Sequence, residues 1–147
     1  MIVESALFES GRPVMLTPQT AGSTFGERVI IAWNSSTETA RTVALSMPLL
    51  ALAHSVTVLS IKGWGIPGPS GEELAAHLAR AGVPATARTA DPAGRAPGEA
   101  ILRECAASGA DLLVKGAYTQ SRLRQLIFGG ATRYVIANAK IPVVLAN

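Results

Sequence analysis

Two polar loops hold the residue types best suited to chemistry in this 147-residue chain. One reads WNSSTE over residues 33–38, the other GAYTQSRLRQLIFGG over residues 116–130. In the second, Gly116 allows close approach of a ligand to the backbone. Gly129 and Gly130 precede a helix expected from Ala131, whose free N–H groups and positive dipole end suit an anion. Arg122, Arg124 and Arg133 add positive charge, and Lys115 joins them if its side chain clears the strand before it. The plainer readings stand beside these: Arg122 and Arg124 as solvated surface, Lys115 as an exposed strand-end lysine. In the first loop, Asn34 either caps the next helix or bonds a ribose or base. Ser35 with Glu38 forms a capping box, which accounts for that serine without a ligand.

These loops need a frame, and the hydrophobic pattern supplies one. Near-continuous apolar runs at 28–33 (RVIIAW), 55–61 (SVTVLSI), 110–116 (ADLLVKG) and 141–147 (IPVVLAN) read as strands covered on both faces, the mark of a parallel sheet. PATARTA at 84–90 is a weaker fifth. Between them lie helical patterns. Residues 37–54 place Ala40, Val43, Ala44, Met47, Leu50 and Ala51 at steps of three and four, with Pro48 expected to kink the helix. Ser70 and Glu73 form a capping box for a helix over 72–82 that Gly82 ends, and Pro97 suits the first position of one over 97–109. A final helix is expected over 131–138. Alternation of strand and helix defines a doubly wound, Rossmann-like α/β sheet with right-handed crossovers. Ligands of such sheets sit beyond the carboxyl ends of the strands where strand order reverses. If the first and fourth strands are neighbours there, the two polar loops share one crevice.

Composition narrows the function classes. With 48% hydrophobic and 16% charged residues the chain is a folded domain, and its 5% aromatics leave the core to aliphatic side chains. Thirteen basic against 10 acidic residues give a net charge of +3, scattered and not interleaved with aromatics, so no nucleic-acid surface is expected. The single cysteine, Cys105, forms no internal disulfide and reads as a buried, inert thiol. No membrane span or basic leader pattern is present, and a cytoplasmic location is expected. His54 and His77 lack metal-ligand spacing, no nucleophile elbow or P-loop lysine motif occurs, and Asp91 stands without the acidic cluster of a phosphorelay receiver. An enzyme is not expected. Residues 1–27 are a separate matter. ESGRPVMLTP resembles the chain's own AKIPVVLAN, and the Thr-, Gly- and Pro-rich stretch after it reads as a linker. Residues 1–27 are therefore expected to be the remnant of a preceding repeat plus linker, with the domain proper at 28–147.

The set ADLLVKGAY, SRLRQ, FGG, TR and IPVVL, together with RVIIAWNSS and ETART, resembles the universal stress proteins, most of all the second half of tandem bacterial members. That resemblance implies a five-stranded parallel sheet in the order 3-2-1-4-5, which makes the first and fourth strands adjacent. Nucleotide-binding members carry an Asp after the first strand and the pattern G-x-x-G, nine residues, then Gly-Ser or Gly-Thr. Position by position, Asn34 stands at the Asp, Gly116 at the first glycine, Thr119 at the second, Gly129 at the third and Gly130 at the hydroxyl residue. Three of the five depart. If the second glycine needs positive φ, Thr119 costs about 1–2 kcal/mol there. The resemblance thus implies a stress-response domain with a degenerate nucleotide pocket, working by dimerisation and protein contacts. The alternative is a genuine ATP or adenine-nucleotide binder that uses Gly116, Gly129, Gly130 and the basic residues, Arg122 among them, to compensate. The family associates through its C-terminal edge strand, here 142–146, so residues 13–17 are expected to pair with that strand within one chain or to exchange between two.

Overall fold

In the computed structural model, residues 2–20, 22–117 and 130–147 are described. Six strands form one sheet: β1 (Val14–Leu16), β2 (Arg28–Ala32), β3 (Ser55–Ile61), β4 (Ala85–Ala90), β5 (Leu112–Gly116) and β6 (Val143–Ala146). Their order is β1-β6-β5-β2-β3-β4, and every pairing is parallel except β1 with β6. Without β1 this is the expected 3-2-1-4-5 arrangement. β2 is central, with Ile31 opposite Val58 of β3 on one side and Val114 of β5 on the other. The first and fourth strands of the domain are therefore neighbours, and the sheet's switch point lies between them.

Because side chains alternate across a strand, the continuous apolar runs feed two separate cores. Val29, Ile31 and Trp33 pack with Val43, Leu50 and Leu78 under the helices α2 (Thr37–Leu45), α3 (Met47–Leu50) and α4 (Gly71–Arg80). Ile30 and Ala32 point the other way, toward Ile101, Cys105 and Val135 of α5 (Pro97–Ser108) and α6 (Ala131–Asn138). Leu7 of α1 (Ile2–Glu9) joins this second core. The kink expected at Pro48 is a full break. Proline offers no N–H to the preceding turn, so α2 ends at Leu45 and α3 restarts with Pro48 in its first turn. The Ser70 cap, Gly82 just past the end of α4 and Pro97 at the start of α5 stand as the sequence predicts, and a left-handed Gly109 ends α5.

The segment before β2 is tied down at both ends. Val14, Met15 and Leu16 pair antiparallel with Leu145, Val144 and Val143, so the expected intrachain pairing is formed. Farther on, the Asp111 carboxylate accepts the backbone N–H groups of Glu27 at 3.2 Å and Arg28 at 2.9 Å. Burial alone would raise the pKa of Asp111. Hydrogen bonds from the Thr24 hydroxyl and those two amides outweigh it and hold the carboxyl below its ordinary value. Residues 17–20 and 22–26 thus belong to a strap between two anchors.

Candidate functional site

The carboxyl ends of β2 and β5 meet where the sequence placed its crevice. Asn34 leaves β2 and is only 6% exposed. Its side-chain oxygen accepts the Ser36 amide at 3.2 Å and the Thr39 hydroxyl at 2.8 Å. It thereby holds the turn into α2 without itself being the cap that was considered for it. The residue that caps α2 directly is Ser36, whose hydroxyl accepts the Thr39 N–H at 3.1 Å. This corrects the box of Ser35 with Glu38. Ser35 instead takes a left-handed φ of 65° and donates its hydroxyl to the Pro69 carbonyl at 2.7 Å. That turn brings the loop after β3 against the crevice. Trp33 Nε1 donates to the same Pro69 carbonyl, and the Ile66 N–H donates to the Asn34 carbonyl. Gly68 fits because a Cβ on it would lie 2.8 Å from the Ser35 carbonyl oxygen.

Gly116 does permit a close backbone approach, but α2 is what approaches. A Cβ there would stand 2.6 Å from the Thr39 nitrogen and 2.8 Å from its Cα, backbone atoms that cannot yield. Gly130 is exposed and precedes α6 at φ 142°, a region few residues other than glycine adopt. Ala131 opens the helix, and its N-cap residue, Gly130, has no side chain with which to cap it. Thr119, Arg122, Arg124 and Gly129 lie outside the described residues.

Lys115 overturns the strand-end reading. Its side chain lies on the α5–α6 face of the sheet and is 2% exposed. Nζ donates to the Gly116 carbonyl and to the Thr132 hydroxyl, both at 2.9 Å, and sits 5.8 Å from the centre of the Trp64 ring. Among the described residues no carboxylate pairs with it. Loss of hydration lowers its pKa from 10.5 to about 7. The sequence reading missed Trp64 and Thr132 altogether. The one available signal was a lysine closing the apolar run LLVKG. Cys105 is buried as expected, and burial above all, with Glu104 adding, pushes its thiol up to about 12. Among the described residues no group of three or more His, Cys, Asp or Glu is placed to hold a metal ion, and no helix is long and apolar enough to cross a membrane.

A central parallel strand between two parallel neighbours, reached by crossovers that lay helices on both faces of the sheet, defines a doubly wound α/β domain. The family model for the universal stress protein family matches residues 50–147, and the chain belongs to that family. Solved structures agree in fold. A universal stress protein from Archaeoglobus fulgidus superposes with a TM-score of 0.70 at 15% identity, over 92% of this chain and 49% of that one. This chain therefore spans about half the length of the archaeal one. A family member from Burkholderia pseudomallei gives 0.61 at 18% identity, covering 84% of this chain and 97% of that one. A universal stress protein from Lactobacillus plantarum gives 0.58 at 18%, covering 85% and 100%. Comparison with the curated proteins gives no match.

Proposed function

We propose that this chain is a stress-response domain that acts through protein contacts rather than through catalysis, and that its nucleotide pocket is degenerate. The observation that carries the reading is the inward commitment of the crevice. Asn34 stands where nucleotide-binding relatives have an Asp, and its oxygen serves the start of α2. The Lys115 amine is enclosed by Gly116, Thr132 and Trp64. The described side chains expected to meet a nucleotide thus serve the protein instead, and they fit that ligand poorly. The second reading, a genuine adenine-nucleotide binder, draws on the glycine-led N-terminus of α6, whose N–H groups suit a phosphate. Under the first reading β1 takes up the C-terminal edge through which family members associate, so one chain reproduces internally part of a dimer contact.

Calorimetric titration of ATP with Mg²⁺ separates the two. The comparison variant carries Asn34→Asp and Thr119→Gly, restoring two of the departed positions and leaving Gly130 alone because a serine is strained at its φ. A silent wild type beside a binding variant supports lost binding. Micromolar affinity in the wild type overturns that reading and makes the protein a nucleotide binder.

A further inference from the structure

A hollow lies at the opposite end of the sheet from the crevice. Helices α5 and α6 touch near their starts, where Gly98 lets Tyr134 and the Ala131 backbone come close: a Cβ there would be 2.9 Å from Tyr134 Cβ. Farther along both helices a cavity of about 810 Å³ opens, roofed by Thr17, Pro18 and residues 22–25 of the strap and bounded by the entrances to β5 and β6. Its size lies within the ~300–1,000 Å³ of small-molecule sites. Its lining is chiefly apolar, with Leu102, Ala106 and Ile141 below and Phe25 above.

The charges around it are unequally committed. Of the two lining carboxylates, Asp111 holds the amides of Glu27 and Arg28, and Glu99 pairs with Arg95 at 3.6 Å. The two lining cations, Arg103 and Lys140, have no ion-pair or hydrogen-bond partner among the described residues. Two other polar groups of the lining are occupied as well: the Asn138 amide donates to the Tyr134 carbonyl, and the Thr24 hydroxyl serves Asp111. An apolar trough with two free cations and its acids engaged complements a molecule with an apolar body and one anionic end. The carbonyl ends of α5 and α6 also border the cavity, through Gly109 and Asn138. They repel an anion, so the head group belongs beside the two side chains.

We propose that this cavity binds a small amphipathic anion, an acyl chain with a carboxylate head, its tail along the α5–α6 cleft and its head between Arg103 and Lys140. The fold prepares the site through the strap, which is anchored at β1 and at Asp111 and crosses over the two helices.

Titration of the full chain with sodium decanoate, decanol and decyltrimethylammonium tests the assignment. The expected result is one decanoate per chain at micromolar affinity, with the neutral and cationic analogues weaker by about tenfold or more. Reversing both charges, Arg103→Glu with Lys140→Glu, should weaken decanoate by about tenfold and leave decanol unaltered. Ala106→Trp, on the solvent-accessible side of α5, should fill the trough and abolish binding while thermal unfolding stays unchanged. Decanoate binding only at millimolar concentrations, decanol binding as well as decanoate, or full binding by Ala106→Trp would each overturn the proposal. The two analogue comparisons need no variant.

Discussion

Replacing the buried lysine should change how stability depends on pH. In the folded protein the Lys115 amine loses its proton near pH 7, whereas the unfolded chain keeps it to about pH 10.5. Across that window the unfolded state binds more protons, so stability rises with pH, by up to ~1.4 kcal/mol per pH unit. At pH 7 the folded amine is half protonated, and from there to pH 9 the wild type should gain about 2 kcal/mol from this one group. Lys115→Met, of similar length and without the charge, should lack that gain. Urea unfolding at pH 7, 8 and 9, followed by the fluorescence of Trp33 and Trp64, gives the two curves. The upper limit matters because of Cys105. Its contribution is complete below its unfolded value of 9.0 and is lost as pH climbs through its folded value of about 12. Equal pH dependence in wild type and Lys115→Met would refute the reasoning, because the amine would then titrate as though in water.

Two further perturbations test the packing of the crevice and the edge of the sheet. Gly116→Ala forces a Cβ into the Thr39 backbone and should destabilise by about 1–3 kcal/mol, seen as a fall in Tm; Thr39→Ala should not rescue it, since the backbone contacts remain. Deleting residues 1–18 removes β1 and bares β6, and sedimentation should then show more self-association than the full chain does; an unchanged oligomeric state would mean that β6 does not seek a partner strand.

Much of this architecture could be read from residues alone. The strands followed from near-continuous apolar runs, and their two-sided burial explains why alternation was absent. Helix ends at Ser70, Gly82 and Pro97 were legible because each is a local event decided within a few residues. Strand order came with the family resemblance. What escaped depends on remote partners. Ser35 and Ser36 are equivalent by type, and Ser35 has the better-spaced glutamate. The loop carrying Pro69, which arrives from after β3, draws Ser35 aside and leaves the cap to Ser36. Likewise a lysine at a strand end is exposed by default, and only Trp64 and Thr132, from two other elements, enclose it.

The pairing of Val14 with Leu145 also bears on the order in which the molecule can be made. β1 precedes every other strand in the sequence, and its partner follows them all. During synthesis from the N-terminus, β1 therefore leaves the ribosome long before β6 exists and must wait through the assembly of the four strands between. Closing so long a loop makes its docking a late step. A waiting strand is exposed to wrong partners, and this one is poorly suited to them. It is three residues long, and Arg12, Pro13 and Pro18 flank it, a charge and two residues that cannot extend a hydrogen-bonded ladder. Brevity and flanking prolines leave the strand little use for any surface before β6 emerges.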